Sequence, residues 1–195
     1  HGSAFHYQFV HSTRAQNAVL VDGVGQTVHS VTAKGEIVRE QLGRDYDYIA
    51  GDATPAYGGR LVKAWRHAVL VKGTQPFVVL YDELVAPKPV KFQFMLHGLK
   101  EFTIDARAGR LRVEQPLAAL DIAYLSPVPL VYDQTNGFEP APTKDFPNHW
   151  HVEAGTREPR RTLGVVTVMV PSRSGPAPTW KATRVDETSS TVIEV

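Results

Sequence analysis

A chain of 195 residues and 21.5 kDa is long enough for one domain with its own core and too short for most two-domain enzymes. Hydrophobic residues make up 43% and charged residues 21%, which excludes disorder as the main state, and no apolar run approaches the roughly 18 residues of a membrane-spanning helix. With Lys+Arg at 21 against Asp+Glu at 20 the net charge is +1, so no overall field recruits nucleic acid or an anionic membrane, and a polyanion must be recognised locally.

Cysteine is absent, which excludes disulfides, thiol catalysis and cysteine-based metal centres. The opening His1-Gly2-Ser3-Ala4-Phe5-His6-Tyr7-Gln8-Phe9 carries neither the basic nor the apolar region of a secretory signal, so the expectation is a cytosolic, processed or excised chain. His1-Gly2-Ser3 reads either as native sequence or as a tag remnant.

In chain order, the first expected element is an edge strand over Phe5 to Phe9, whose alternate side chains pack inward. A strand there sends Phe5, Tyr7 and Phe9 to one face and His6 with Gln8 to the other. Asn17 to Val21, His67 to Val71, Pro76 to Tyr81 and Leu163 to Val170 are solidly apolar and β-branched, as in strands buried on both faces. Thr27 to Ala33 is expected to return as Glu36 to Leu42 across Lys34-Gly35, and Phe102 to Asp105 as Arg110 to Glu114 across Ala108-Gly109. Lys91 to His97 alternates with a period of two. Ser126 to Pro147 is rich in proline and reads as a long irregular loop of the kind that carries function. Short strands without long helices predict an all-β fold, an antiparallel β-sandwich of jelly-roll type over residues 1–195.

Several residue groups could carry chemistry. His6, His11, His29, His67, His97, His149 and His151, with Asp52, are the candidate metal ligands, but their spacing fits satisfied structural histidines as well. His149 and His151 flank Trp150 and would share one strand face. The metalloprotease, α/β-hydrolase and P-loop motifs are all missing. Phe5 to Phe9 with His11, Arg14, Gln16 and Asn17 is dense in aromatic rings and hydrogen-bonding groups, which suits a sugar-lined cleft. Asp52 before Ala53-Thr54-Pro55 reads as a carboxylate bonding its own turn, and Tyr81-Asp82-Glu83 as the end of a buried strand that caps the strand end or pairs with Arg66 or Arg60.

Taken in order, these segments resemble the C-terminal β-sandwich of heparinase II/III-like polysaccharide lyases, a group that includes oligoalginate lyases. The resemblance runs from Gly2-Ser3 and His6 to Phe9, through Ser12 to Gly23 and Gly25-Gln26, to Gly51-Asp52-Ala53 and Tyr57. It continues with Arg66, Pro76 to Glu83, Leu96-His97 and Trp150-His151, covering most of the chain.

The resemblance implies an N-terminal α/α toroid as partner, with the active cleft between toroid and sandwich, and an acidic polysaccharide or oligosaccharide as substrate. It implies a periplasmic or secreted enzyme, with no nucleic acid, membrane or cofactor. The implied reaction is β-elimination at a uronic acid: the carboxylate is neutralised, a base takes the C5 proton, and an acid protonates the departing oxygen. The toroid's Tyr and His match nothing in this chain, so the piece alone is expected to be inactive. His6 matches the sandwich histidine that reaches the cleft and is the catalytic candidate. Arg14, Gln16 and Asn17 are the substrate-binding candidates. Gln16 stands where metal-containing relatives carry a zinc-ligating histidine, which puts a zinc site in doubt, and no metal is expected. The alternative is a stand-alone carbohydrate-binding module.

Overall fold

The computed structural model describes residues 2–186 and 191–194; His1 lies outside them. Its strands are, in chain order, β1 (Val19–Val21), β2 (Glu36–Leu42), β3 (Tyr46–Asp52), β4 (Lys63–Val71), β5 (Phe77–Val90), β6 (Phe92–Gly98) and β7 (Phe102–Asp105). There follow β8 (Arg110–Glu114), β9 (Ala118–Leu125), β10 (Leu130–Asn136), β11 (Trp150–Thr156), β12 (Arg160–Arg173), β13 (Thr183–Asp186) and β14 (Thr191–Glu194).

They form an antiparallel sheet in the order β1-β6-β11-β10, a second in the order β2-β3-β4-β5-β12-β9-β8-β7, and the hairpin β13-β14. The two-residue period builds the core between the first two. Phe92, Phe94 and Leu96 of β6 with Val152 and Ala154 of β11 meet Leu84, Ala86, Leu111, Ile122, Leu163 and Val165 of the larger sheet. An all-β sandwich with little helix is therefore the observed architecture. At about 25 cal/mol per Å² of apolar area, this shared core is the main term holding the sheets together.

β12 is apolar on both faces for a visible reason: Val166, Val168 and Val170 turn away from the main core and are covered by Phe77, Leu125, Trp180 and Ala182. β4 and the start of β5 are only half-buried, so the expectation of strands buried on both faces holds for β1, whose Val19, Leu20 and Val21 are all buried, and for β12, but not for those two.

Three local readings are corrected. Phe5–Val10 is a single π-helical turn and not an edge strand. A helical period brings residues four apart together, so Phe5 and Phe9 stack at 5.7 Å while Tyr7 joins His6 and His11; the aromatic set is split and Gln8 does not share a face with His6 alone. Thr27 to Ala33 forms no strand; Glu36–Leu42 pairs instead with β3, through a turn in which the Gly43 amide donates to Asp47 at 3.2 Å. Within the expected loop, Leu130–Asn136 pairs with β11 along its whole length, and proline density hid its alternation.

Other readings agree. Phe102–Asp105 and Arg110–Glu114 form the expected hairpin. The Asp52 carboxylate accepts the Thr54 amide at 2.7 Å. Of the expected acid pairings, Asp82 with Arg66 holds, whereas Glu83 pairs with Lys63 and Arg60 donates to the Gly25 carbonyl instead of to either acid.

Candidate functional site

The outer face of the four-stranded sheet carries His97 and His151. The register sets His97 directly opposite His151, and Met95 opposite Glu153. On the next strand Thr135 faces His151 and Asp133 faces Glu153. The same alternation that sends Phe94 and Leu96 into the core sends Met95 and His97 outward.

The N-terminal segment packs over this face. Phe9 is buried and lies edge-on to Phe138 at 5.2 Å and to His151 at 5.6 Å, while Phe5 meets Phe138 at 5.1 Å and Phe146 at 6.2 Å. These aromatic contacts, each worth about 0.5–1.5 kcal/mol beyond area burial, dock the π-helix on the loop after β10. The Ser3 hydroxyl accepts the His6 amide at 3.2 Å and steadies the start of the turn. The 3-10 turn Thr13–Ala15 then crosses the sheet, fixed by His97, whose Nε2 donates to the Arg14 carbonyl at 2.9 Å. His97 also donates its backbone N–H to Asn17 Oδ1 at 3.0 Å, and its Nδ1 lies 2.9 Å from that same oxygen. Below, Arg66 grips Asp82 with two bonds of 2.7 and 3.0 Å and donates a third, at 2.7 Å, to the Asn17 carbonyl.

The four predicted site residues do not converge on one point. His6 belongs to a histidine group: its ring lies 4.3 Å from that of His11, which lies 4.8 Å from that of His29, with His11 Nδ1 and His29 Nε2 at 3.1 Å. Gln16 lines a groove of about 370 Å³ with His11, Thr13, Gln26 and His29. Arg14 turns to the other side of the 3-10 turn, 3.6 Å from Glu153, and borders a pocket with Phe9, Asn136, Phe138 and His151. Asn17 is engaged at both its carbonyl and its side-chain oxygen, which makes it a structural clamp.

Burial and neighbours set the protonation states. Lost hydration, then the adjacent His11 and His29, hold the His6 imidazole below its ordinary value, so it is a neutral proton acceptor at pH 7. Burial pushes His97 down to about 4, and burial also lowers His151, whose Nε2 donates to the Gly137 carbonyl at 2.6 Å. A zinc site of the kind the family resemblance carries does not fit: Gln16 supplies an amide where an imidazole is needed. Among the described residues no group of three or more His, Cys, Asp or Glu gathers to hold a metal.

The pairing of His97 with His151 and the meeting of His6, His11 and His29 escaped the sequence reading. Both depend on strand register and on a helical turn. The two-residue spacing of His149 and His151 was the one visible signal, and their rings lie 6.5 Å apart.

No family model and no curated protein matches the chain. Solved structures do. A heparinase III superposes with a TM-score of 0.75 at 14% identity over 98% of this chain and 29% of its own. The heparan sulfate lyase HepC from Pedobacter heparinus gives 0.73 at 13% identity over 92% of this chain and 27% of its own. A further heparinase III structure gives 0.71 at 12% identity over 99% and 31%. The fold is thus an antiparallel β-sandwich of the kind these lyases contain, as the sequence resemblance implied. The chain spans less than a third of the length of the structures it matches.

Proposed function

We propose that this chain is the sandwich half of a polysaccharide lyase that cleaves a uronic-acid-containing polysaccharide by β-elimination, acting with a helical toroid in a periplasmic or secreted parent. The observation that carries the reading is the near-complete superposition on structures described as heparinase III and heparan sulfate lyase, each covered only in part. The arrangement of residues supports it. A neutral imidazole at His6, crowded by His11 and flanked by Tyr7, offers a proton-transfer or substrate-contacting group on the sandwich side of a cleft. Arg14 is half-exposed and its 3.6 Å contact with Glu153 is loose, so its guanidinium is available to a substrate carboxylate. Alginate and heparan-type chains both present such a carboxylate.

In this reading the Tyr and His that move the protons stand on the toroid, so the 195-residue chain alone should form no unsaturated uronate product. Absorbance of that product, followed with alginate and heparan-type oligosaccharides, tests this, and robust turnover by the chain alone contradicts it. Tight calorimetric binding of an oligosaccharide in the groove by the isolated chain, without turnover in any longer form, would favour the carbohydrate-binding module instead.

A further inference from the structure

Charge on this molecule is unevenly placed. The ten residues 87–91 and 157–161 hold Lys88, Lys91, Arg157, Arg160 and Arg161, five of the chain's 21 basic residues, with Glu158 as one of its 20 acidic residues. A chain of net charge +1 is thereby divided into a patch of net +4 and a remainder of net −3.

The fold brings the two segments together. Arg160 pairs with Val90, Gln93 pairs with Gly155, and the Phe92 amide donates to the Thr156 hydroxyl at 3.1 Å. Between Arg160 and Thr162 the register slips from Val90 to Val85, so the stretch 86–89 bulges opposite Arg161. Pro87 and Pro89 lack the N–H that a ladder needs, which explains the bulge and stiffens the backbone on both sides of Lys88. All five cations are exposed, and none forms an ion pair among the described residues. Glu158 stands between Arg157 and Arg160 in the sequence, and the Asp22 carboxylate accepts the Lys91 amide at 2.8 Å.

Position gives the patch its meaning. Lys91 precedes β6 in the same two-residue phase as Gln93, Met95 and His97, and Arg157 follows β11 in phase with His151 and Glu153. The six-residue step from His97 to Lys91 is about 20 Å of strand. The patch therefore lies at the far end of the sheet whose outer face carries the candidate cleft.

We propose that this end of the sandwich is a second binding surface for acidic polysaccharide, holding carboxylates of a chain that runs on from the cleft. The inference rests on the lyase reading for the identity of the polyanion. Five unpaired cations at adjacent strand ends present a spaced row of charge, and the bulge between two prolines limits the entropy lost when Lys88 is engaged. Such a surface raises the local concentration of polymer without taking part in bond cleavage.

The test is affinity electrophoresis and calorimetry of the 195-residue chain with polymannuronate, heparin, neutral dextran, duplex DNA and phosphatidylglycerol vesicles. The wild-type chain should bind polymannuronate or heparin and not dextran. R157Q/R160Q/R161Q should lower that affinity by about tenfold or more at low salt, with an unchanged melting temperature. R39Q/R44Q, on the outermost hairpin of the larger sheet, should bind as wild type does. Unaltered binding by the triple variant, equal binding of DNA or vesicles, or no polysaccharide binding by the wild type each overturns the surface. The lyase reading is judged separately by unsaturated-product formation, so the two can fail independently.

Discussion

Arg66 and Asp82 join the core to the candidate site. Asp82 is 3% exposed, and its carboxylate receives both bonds that a guanidinium fork can give, while the third Arg66 bond holds the Asn17 carbonyl. Removing the carboxylate leaves a half-buried cation without its partner, which costs far more than the pair contributes. Asp82→Ala should destabilise the chain by about 3–5 kcal/mol, measured by urea unfolding, with the loss of order beginning at Asn17. Gly25 makes a second point at this scale. A Cβ there would overlap the Thr13 side chain, whose hydroxyl accepts the Gln26 amide at 2.7 Å. Gly25→Ala should cost about 1–3 kcal/mol by thermal melting and loosen the 3-10 turn that carries Arg14. The sequence signalled Gly25-Gln26 as part of a recognisable series, but not that Thr13 was the reason.

At the scale of elements, the π-helical turn Phe5–Val10 is docked on the rest of the chain by aromatic contacts, while hydrogen bonds within residues 3–12 hold it locally. Six residues cannot sustain a helix alone, so the turn exists because Phe5 and Phe9 dock on Phe138 and His151. Phe9→Ala should therefore release the turn, seen as faster amide hydrogen exchange at His11 and Ser12, and cost about 3–5 kcal/mol if the cavity does not collapse. This is also where sequence reading met its limit. An alternation over five residues fits a strand and a helical turn equally, and the partner that decides lies more than a hundred residues away. Where alternation ran through a paired neighbour, as in β6 or the hairpin β7-β8, element and facing were both legible. Candidate chemistry was legible as residue types near His6. The grouping of the histidines was not, because His6 meets His11 through a helical turn, His29 meets His11 through a loop, and His97 meets His151 through register.

For the whole molecule, histidines make stability depend on pH in a fixed direction. His97 drops from 6.5 to about 4 on folding, and His151 and His67 are lowered too, each first by burial. Between those two values the unfolded chain binds more protons than the folded one, so stability is full above about pH 6.5 and falls as the pH drops toward 4. His97, with the largest of these three shifts, contributes most to that loss. Melting temperature should therefore decline from pH 7 to pH 4, and His97→Gln, which keeps a donor for the Arg14 carbonyl, should flatten that decline. An equal slope in both proteins would remove His97 as its source. Loss of His97 in the acid range would also release the segment that carries Arg14, which couples stability to the cleft. The proposal that His6 and the neighbouring sheet face form half of a lyase cleft is tested by kcat and melting temperature of His6→Ala on one preparation of the intact parent enzyme. The account predicts a fall in kcat of about ten- to ten-thousand-fold with the melting temperature kept. Unchanged turnover per folded molecule, with stability lowered by about 0.5–3 kcal/mol, would contradict it and leave His6 a packing residue.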